Sequence, residues 1–218
     1  MRPRNSKESR QERIITFVRY GGIVWMRTFR VAFILVVVWL LGVDPVAHAQ
    51  RASLTDAVLH AMEVVALPFR LAWLAARQPD AILLMPVAGA KVSRVADSWG
   101  APRPGGRTHR GQDIFARRGT AVLSATEGYV VRVGRNRLGG NVIVIAGAGG
   151  RRYYYAHLET FAPAMRVGKK VTPETVIGFV GNTGNAAQTS PHLHFGLYTM
   201  TGAIDPLPLL RDRPASSP

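Results

Sequence analysis

The thirty residues from Gly128 to His157 read GYVVRVGRNRLGGNVIVIAGAGGRRYYYAH. Within them Gly128–Val133, Asn141–Ile145 and Arg152–His157 are short runs of β-branched and aromatic residues separated by glycine-rich breaks. Runs of this length, broken in this way, are the pattern of β-strands. Gly139-Gly140 and Gly149-Gly150 stand where a hairpin or loop needs positive φ, which glycine adopts at little steric cost, and Gly105-Gly106 is a third such point. The same texture extends outward to Ala81–Val87 and Ala121–Ser124 on one side and to Val176–Val180 and His192–Tyr198 on the other. The predicted fold is therefore mainly β, a compact antiparallel domain over residues 81–208 with no internal repeat of fixed period.

The 218 residues, 47% apolar and 19% charged, suffice for one such domain with a core and a short appendage. Twenty-eight Lys and Arg against thirteen Asp and Glu give a net charge of +15, which favours acidic partners. The absence of cysteine excludes a disulfide scaffold, a thiolate zinc site and a cysteine nucleophile. Any metal must be held by histidines and carboxylates.

The appendage begins with a basic leader, residues 1–30, followed by the thirteen-residue apolar run Val31–Val43. A membrane span needs roughly 20 residues, so this run fits the apolar region of a signal peptide better. Asp44-Pro45 breaks it, and Ala47-His48-Ala49 offers a small-x-small cleavage pattern, with cleavage expected after Ala49. Met26 opens a stretch with signal-peptide proportions and is a candidate start. An uncleaved anchor at residues 31–49 is the alternative. Both readings place the remainder beyond the cytoplasmic membrane, in the periplasm or cell envelope, and argue against a nucleic-acid partner. Without residues 1–49 there remain twenty basic and ten acidic side chains.

Residues 50–80 are expected to be helical, with Leu54, Val58, Leu59, Met62, Val65 and Ala66 recurring at threes and fours and Pro68 dividing the segment into one or two short helices. Leu67–Trp73 is apolar with an arginine at 70 that can snorkel, which suits packing on the domain or apposition to a membrane. His60 beside the apolar stripe lacks a partner at metal spacing and reads as structural. Residues 209–218 are expected to be a disordered tail.

Four of the six histidines fall in the β region: His109, His157, His192 and His194. His109 and Asp113 lie four positions apart, roughly 13 Å along an extended strand, so a shared ion requires the chain to turn between them, as Gly111 permits. His192 and His194 project from one strand face about 7 Å apart, so one can ligate an ion while the other reaches a water or substrate. Leu193 and Phe195 then face the core. His157 is a candidate partner on the same face as Tyr153 and Tyr155. Two histidines, one aspartate and an open fourth position suit one catalytic zinc per chain.

Gly-Arg-Thr-His109-Arg-Gly-Gln-Asp113-Ile, Gly139-Gly-Asn-Val-Ile-Val, Tyr155-Ala-His157-Leu, Gly181-Asn-Thr-Gly184 and Pro191-His192-Leu-His194-Phe, in this order, resemble the lysostaphin-type, LytM-like zinc peptidases. These are peptidoglycan endopeptidases with a duplicated hybrid motif, and the resemblance covers about Ala81 to Pro206. It implies a barrel-sandwich hybrid-like β domain with a narrow groove, zinc on His109, Asp113 and His194, and catalysis assisted by His157 and His192. The implied substrates are peptidoglycan crosslinks or stem peptides, with a diaminopimelate–alanine D,D crosslink expected over a glycine bridge. Tyr155 and Asn141 are candidate substrate contacts, although a packed strand tyrosine would look the same in sequence. Gln112 replaces an apolar residue common in the family, with a small packing effect expected. Arg103, Arg107, Arg110, Arg117 and Arg118 flank the metal motif and can attract stem-peptide carboxylates, with a solvated surface the alternative, and the anionic polymers of the envelope suit a basic protein. Degenerate members of the family that activate amidases are the main non-enzyme alternative. The segment Arg166–Gly178 also resembles half of a lipoyl- or biotinyl-carrier barrel, which leaves the histidines unexplained.

Overall fold

The computed structural model describes residues 45–214. The basic leader, the Val31–Val43 run, the candidate start at Met26 and the last residues of the tail lie outside them. The chain divides into two units, residues 1–58 and 59–218, and the site described below belongs wholly to the second. Among the described residues there are one α-helix, α1 (Pro45–Ala75), and thirteen strands. The helix runs through Pro68 without a break. Proline removes one backbone hydrogen bond there, but its ring faces solvent, so the interruption expected at this point does not occur and the segment is one helix.

The strands are β1 (Leu83–Leu84), β2 (Pro102–Arg103), β3 (Arg107–Thr108), β4 (Gln112–Phe115), β5 (Ala121–Leu123), β6 (Gly128–Asn136), β7 (Gly140–Ala146), β8 (Arg152–Phe161), β9 (Lys170–Val171), β10 (Val176–Val180), β11 (His192–Thr199), β12 (Gly202–Ile204) and β13 (Leu210–Arg211). The main sheet runs β12-β11-β8-β7-β6-β9, with β4 added to β11, and β10 bridging β8 and β5. Its pairings are antiparallel. One exception lies outside it, where β1 pairs in parallel with β13.

Alternation explains which side chains enter the core. In β11, Leu193, Phe195 and Leu197 are fully buried, while His192 and His194 point to the opposite face. In β8, Tyr153 and Tyr155 enter the core beside Phe195. Strict alternation would bury His157 with them. Instead His157 has φ of 62°, and β8 takes three steps, Tyr155 to Leu158, against the two steps from Ile143 to Asn141 in β7. This bulge hands the core position to Leu158 and turns His157 to the other face. The expectation that His157 shares a face with Tyr153 and Tyr155 is thereby corrected.

Order persists further toward the C-terminus than expected. Beyond β13, Arg213 donates to the carbonyls of Met85, Pro173 and Ser124, tying three separate segments together. The expected disordered tail from residue 209 therefore cannot begin before Arg213.

Candidate metal centre

Strand register sets the first part of the site. β4 and β11 pair with Asp113 opposite His194 and Gln112 opposite Phe195. His109 reaches the same point across a bend at Gly111. A side chain at 111 would place its Cβ 2.7 Å from His194 Cε1 and 2.7 Å from the Phe195 carbonyl oxygen. Only glycine allows the bend to close this tightly. Gly111→Ala is accordingly expected to displace the His194 ring and weaken zinc binding at least tenfold in a competition titration, with the β-sheet circular dichroism retained.

The three ligating atoms form a compact triangle. His109 Nε2 lies 2.8 Å from His194 Nδ1 and 3.1 Å from Asp113 Oδ1, and His194 Nδ1 lies 3.1 Å from the same oxygen. Ligands held at about 2.0–2.1 Å from one tetrahedral ion stand roughly 3.3 Å apart, so the triangle is close to the size a single zinc requires. The donor chemistry agrees. His109 Nδ1 donates to the Ser98 carbonyl at 2.6 Å, which leaves its Nε2 lone pair facing the centre. That lone pair, a carboxylate oxygen and a second imidazole nitrogen converge with at most one proton among them if both rings are neutral. Burial lowers the pKa of His194, favouring the neutral ring that a metal needs. Burial also opposes ionisation of Asp113, but hydrogen bonds with His109 and His194 outweigh it and hold the carboxyl well below its ordinary range.

Supporting contacts fix these groups. Arg103 donates to Asp113 Oδ2 at 2.5 Å, which occupies the outer oxygen and leaves Oδ1 for an ion. Ser98 Oγ accepts from the Asp113 amide at 3.1 Å. Gln112 is fully buried, accepts from the Ser98 amide and donates to Asp97 and Asp205. It is therefore a tie for the Ser98 loop, a larger role than the packing effect expected for it.

Two further histidines face the same groove. His157 Nδ1 donates to the Thr183 carbonyl and His192 Nδ1 to the Ser190 carbonyl, each at 2.8 Å. Both rings therefore carry their free lone pair on Nε2 when neutral. Their centroids are 5.0 Å apart, and His192 Nε2 is 3.8 Å from Asp113 Oδ1. The surrounding groove, of about 620 Å³, has Arg103, Arg107 and Arg110 on its lining together with Leu138, Asn185 and Thr189.

Burial is the main cause that pushes the His157 pKa down to about 4, from an unperturbed value of 6.5. Between these two values the unfolded chain binds a proton that the folded chain refuses. The metal-free protein is thus expected to keep this contribution to stability above pH 6.5 and lose it as pH falls toward 4. A series of thermal melts across that window should show Tm falling with pH, and more shallowly in His157→Gln.

Tyr155 and Asn141 are placed away from the groove. Tyr155 is fully buried, its hydroxyl accepting from the Ala125 amide at 2.9 Å, and burial raises its phenol to about 12. A side chain enclosed in the core cannot touch a substrate, so the expectation for it is corrected. Tyr155→Phe is expected to cost about 1–3 kcal/mol of stability in denaturant titration by leaving that amide unpaired, with kcat/KM unchanged. Asn141 donates to the carbonyls of Leu158 and Glu159 at 3.1 and 2.9 Å, so it clamps the bulge that orients His157 instead of meeting a substrate. Tyr154 takes the exposed place that sequence reading gave to its neighbour: it lines the groove, its ring edge-on to His194 at 5.9 Å.

A His-Asp-His metal centre in an open groove of an antiparallel β domain defines the class of site, and the segment that carries it has known relatives. Residues 107–206 match Peptidase family M23. The segment that carries the site is homologous to this family. It is 41% identical over 125 residues to the L-Ala–D-Glu endopeptidase of Bacillus subtilis strain 168, covering 52% of this chain and 38% of that protein. It is 37% identical over 112 residues to the glycyl-glycine endopeptidase ALE-1 of Staphylococcus capitis, covering 49% and 30% respectively. Among solved structures, the catalytic domain of lysostaphin from Staphylococcus simulans is similar at 31% identity and a TM-score of 0.48, covering 54% of this chain and 92% of that one. The chain thus spans less than two fifths of the length of the two curated relatives.

Proposed function

We propose that this chain is a zinc-dependent endopeptidase that hydrolyses peptide bonds in the crosslinks or stem peptides of bacterial peptidoglycan. The observation that carries this reading is the joint presence of a complete ligand triangle, His109, Asp113 and His194, and two further imidazoles whose Nε2 atoms face the same groove. Zinc, when bound, lowers the pKa of a coordinated water to about 7 and polarises a carbonyl. His157, neutral at ordinary pH, accepts a proton at Nε2 from the attacking water. His192, when protonated at Nε2, donates to the oxygen that gains charge or to the leaving nitrogen. Thr183 and Ser190 hold the two rings so that neither needs to reorient during the reaction. The relatives named above are an L-Ala–D-Glu endopeptidase and a glycyl-glycine endopeptidase, which supports a peptide bond as the one cleaved.

In this reading residues 31–49 export or anchor the chain, and the peptidase domain at residues 81–208 acts in the cell envelope, where anionic polymers retain a basic protein. The test is a digest of purified peptidoglycan by the full chain, with chelator and with zinc restored, read by mass spectrometry of the released peptides. Zinc-dependent loss of crosslinked dimers, or cleavage within stems, supports the reading and identifies the bond. Stoichiometric zinc binding with no cleavage of intact or solubilised peptidoglycan overturns it in favour of a regulator.

A further inference from the structure

The part of α1 in the second unit is amphipathic in the sense opposite to that of a helix facing water. His60, Glu63, Leu67, Arg70 and Leu74 recur at threes and fours and face the β domain. Arg166 bonds both His60 and Glu63, at 3.1 and 2.9 Å, Arg70 lies over the ring of Tyr129 at 5.3 Å, and Leu67 and Leu74 are buried. All the polar side chains of this stretch are thus turned toward the protein. The opposite side presents Met62, Val65, Phe69 and Trp73, exposed by 63, 72, 79 and 61%, with Ala61, Pro68, Ala72 and Ala76 between them. No charged residue appears on that side until Arg77, whose guanidinium lies over the Trp73 ring at 4.9 Å. So continuous an apolar face exceeds what a monomer surrounded by water normally leaves open.

By length and composition Asp56–Ala75 could cross a bilayer. A crossing helix would have to carry Glu63, Arg70 and the strands bonded to them into hydrocarbon, at a cost of several kcal/mol for each unsatisfied group. A helix lying in the interface has no such conflict, because its polar side stays on the protein while its apolar side sinks into the acyl boundary. Two observations point to lipid as the occupant. The apolar run Val31–Val43 ends two positions before α1 begins at Pro45, so the helix follows directly on the segment read as exported or anchored. A tryptophan beside an arginine at the helix end is the pairing that settles at the headgroup level. We propose that the outer side of α1 between Leu59 and Ala76 is a lipid-docking surface that lies flat on the bilayer beneath the β domain. This inference rests on the exported reading of the N-terminus and is independent of whether the groove hydrolyses anything.

The chain contains no cysteine, so single substitutions Met62→Cys, Val65→Cys, Phe69→Cys and Trp73→Cys, with Arg135→Cys as an aqueous control, can each carry one nitroxide on the full-length protein. In vesicles of phosphatidylglycerol and phosphatidylethanolamine, power saturation should show the four helix positions several-fold more accessible to oxygen than to a nickel chelate, all at one shallow depth. Position 135 should show the reverse. A depth that rises to the bilayer centre and falls again along the helix would mean crossing and would overturn the proposal. Nickel access equal to that at position 135 would overturn it in favour of a free surface, and labels shielded from both reagents would overturn it in favour of a second copy or another protein.

Discussion

Asp113→Ala removes zinc and hydrolysis together: metal analysis after dialysis should find the protein essentially empty, and cleavage should fall by more than about a thousandfold. The size of the effect follows from how many contacts meet at this one carboxylate. Its Oδ1 stands 3.1 Å from both ligating imidazole nitrogens, its Oδ2 receives Arg103, and its backbone amide is tied to Ser98. Alanine leaves two imidazoles, which hold zinc weakly, and a guanidinium facing the vacated space, which repels it. The core beneath is unaffected, since Ile114 and Leu193 face away from the metal, so circular dichroism should be unchanged. Retained zinc and retained cleavage in this variant would show that the ion binds elsewhere.

The second large effect has the opposite signature. His157→Ala and His192→Ala should each keep stoichiometric zinc while kcat falls by about 10²- to 10⁴-fold, with KM little changed. Neither ring belongs to the ligand triangle: the nearest His192 nitrogen is 3.8 Å from Asp113 Oδ1, and His157 meets His194 only ring to ring at 5.9 Å. Loss of zinc in either variant would move that histidine into the coordination shell and remove it from the proton-handling role assigned to it. The two predictions together separate the residues that hold the ion from those that move protons, a separation that activity alone cannot make.

The sequence made the fold legible where period and register carry it. The runs at Gly128–Val133, Asn141–Ile145 and His192–Tyr198 all lie in strands, and the alternation of His192, Leu193, His194 and Phe195 gives the two faces of β11 correctly. The turn demanded between His109 and Asp113 is present at Gly111. Alternation failed at His157, because a single left-handed residue inverts the faces of everything beyond it, and no local pattern announces such a bulge. The same inversion explains the misreading of Tyr155 against Tyr154. The bond between Ser98 and Gln112 was invisible for a different reason: it joins residues 14 positions apart, where only tertiary structure sets the distance. Pro68 misled because proline is read as a breaker, although an exposed face of a long helix tolerates one missing bond.

The parallel pairing of β1 with β13 joins the first and last strands of the domain across more than a hundred residues. Arg213 adds three hydrogen bonds at the same end, one of them to Met85 beside β1. A chain emerging N-terminus first from a ribosome therefore holds one edge of its opening strand unpaired until residues 210–213 appear, while the other edge already bonds Ala125. Closure of the domain is deferred until that segment has emerged. Removal of residues 209–213 accordingly reopens a seam that runs back to the start of the fold.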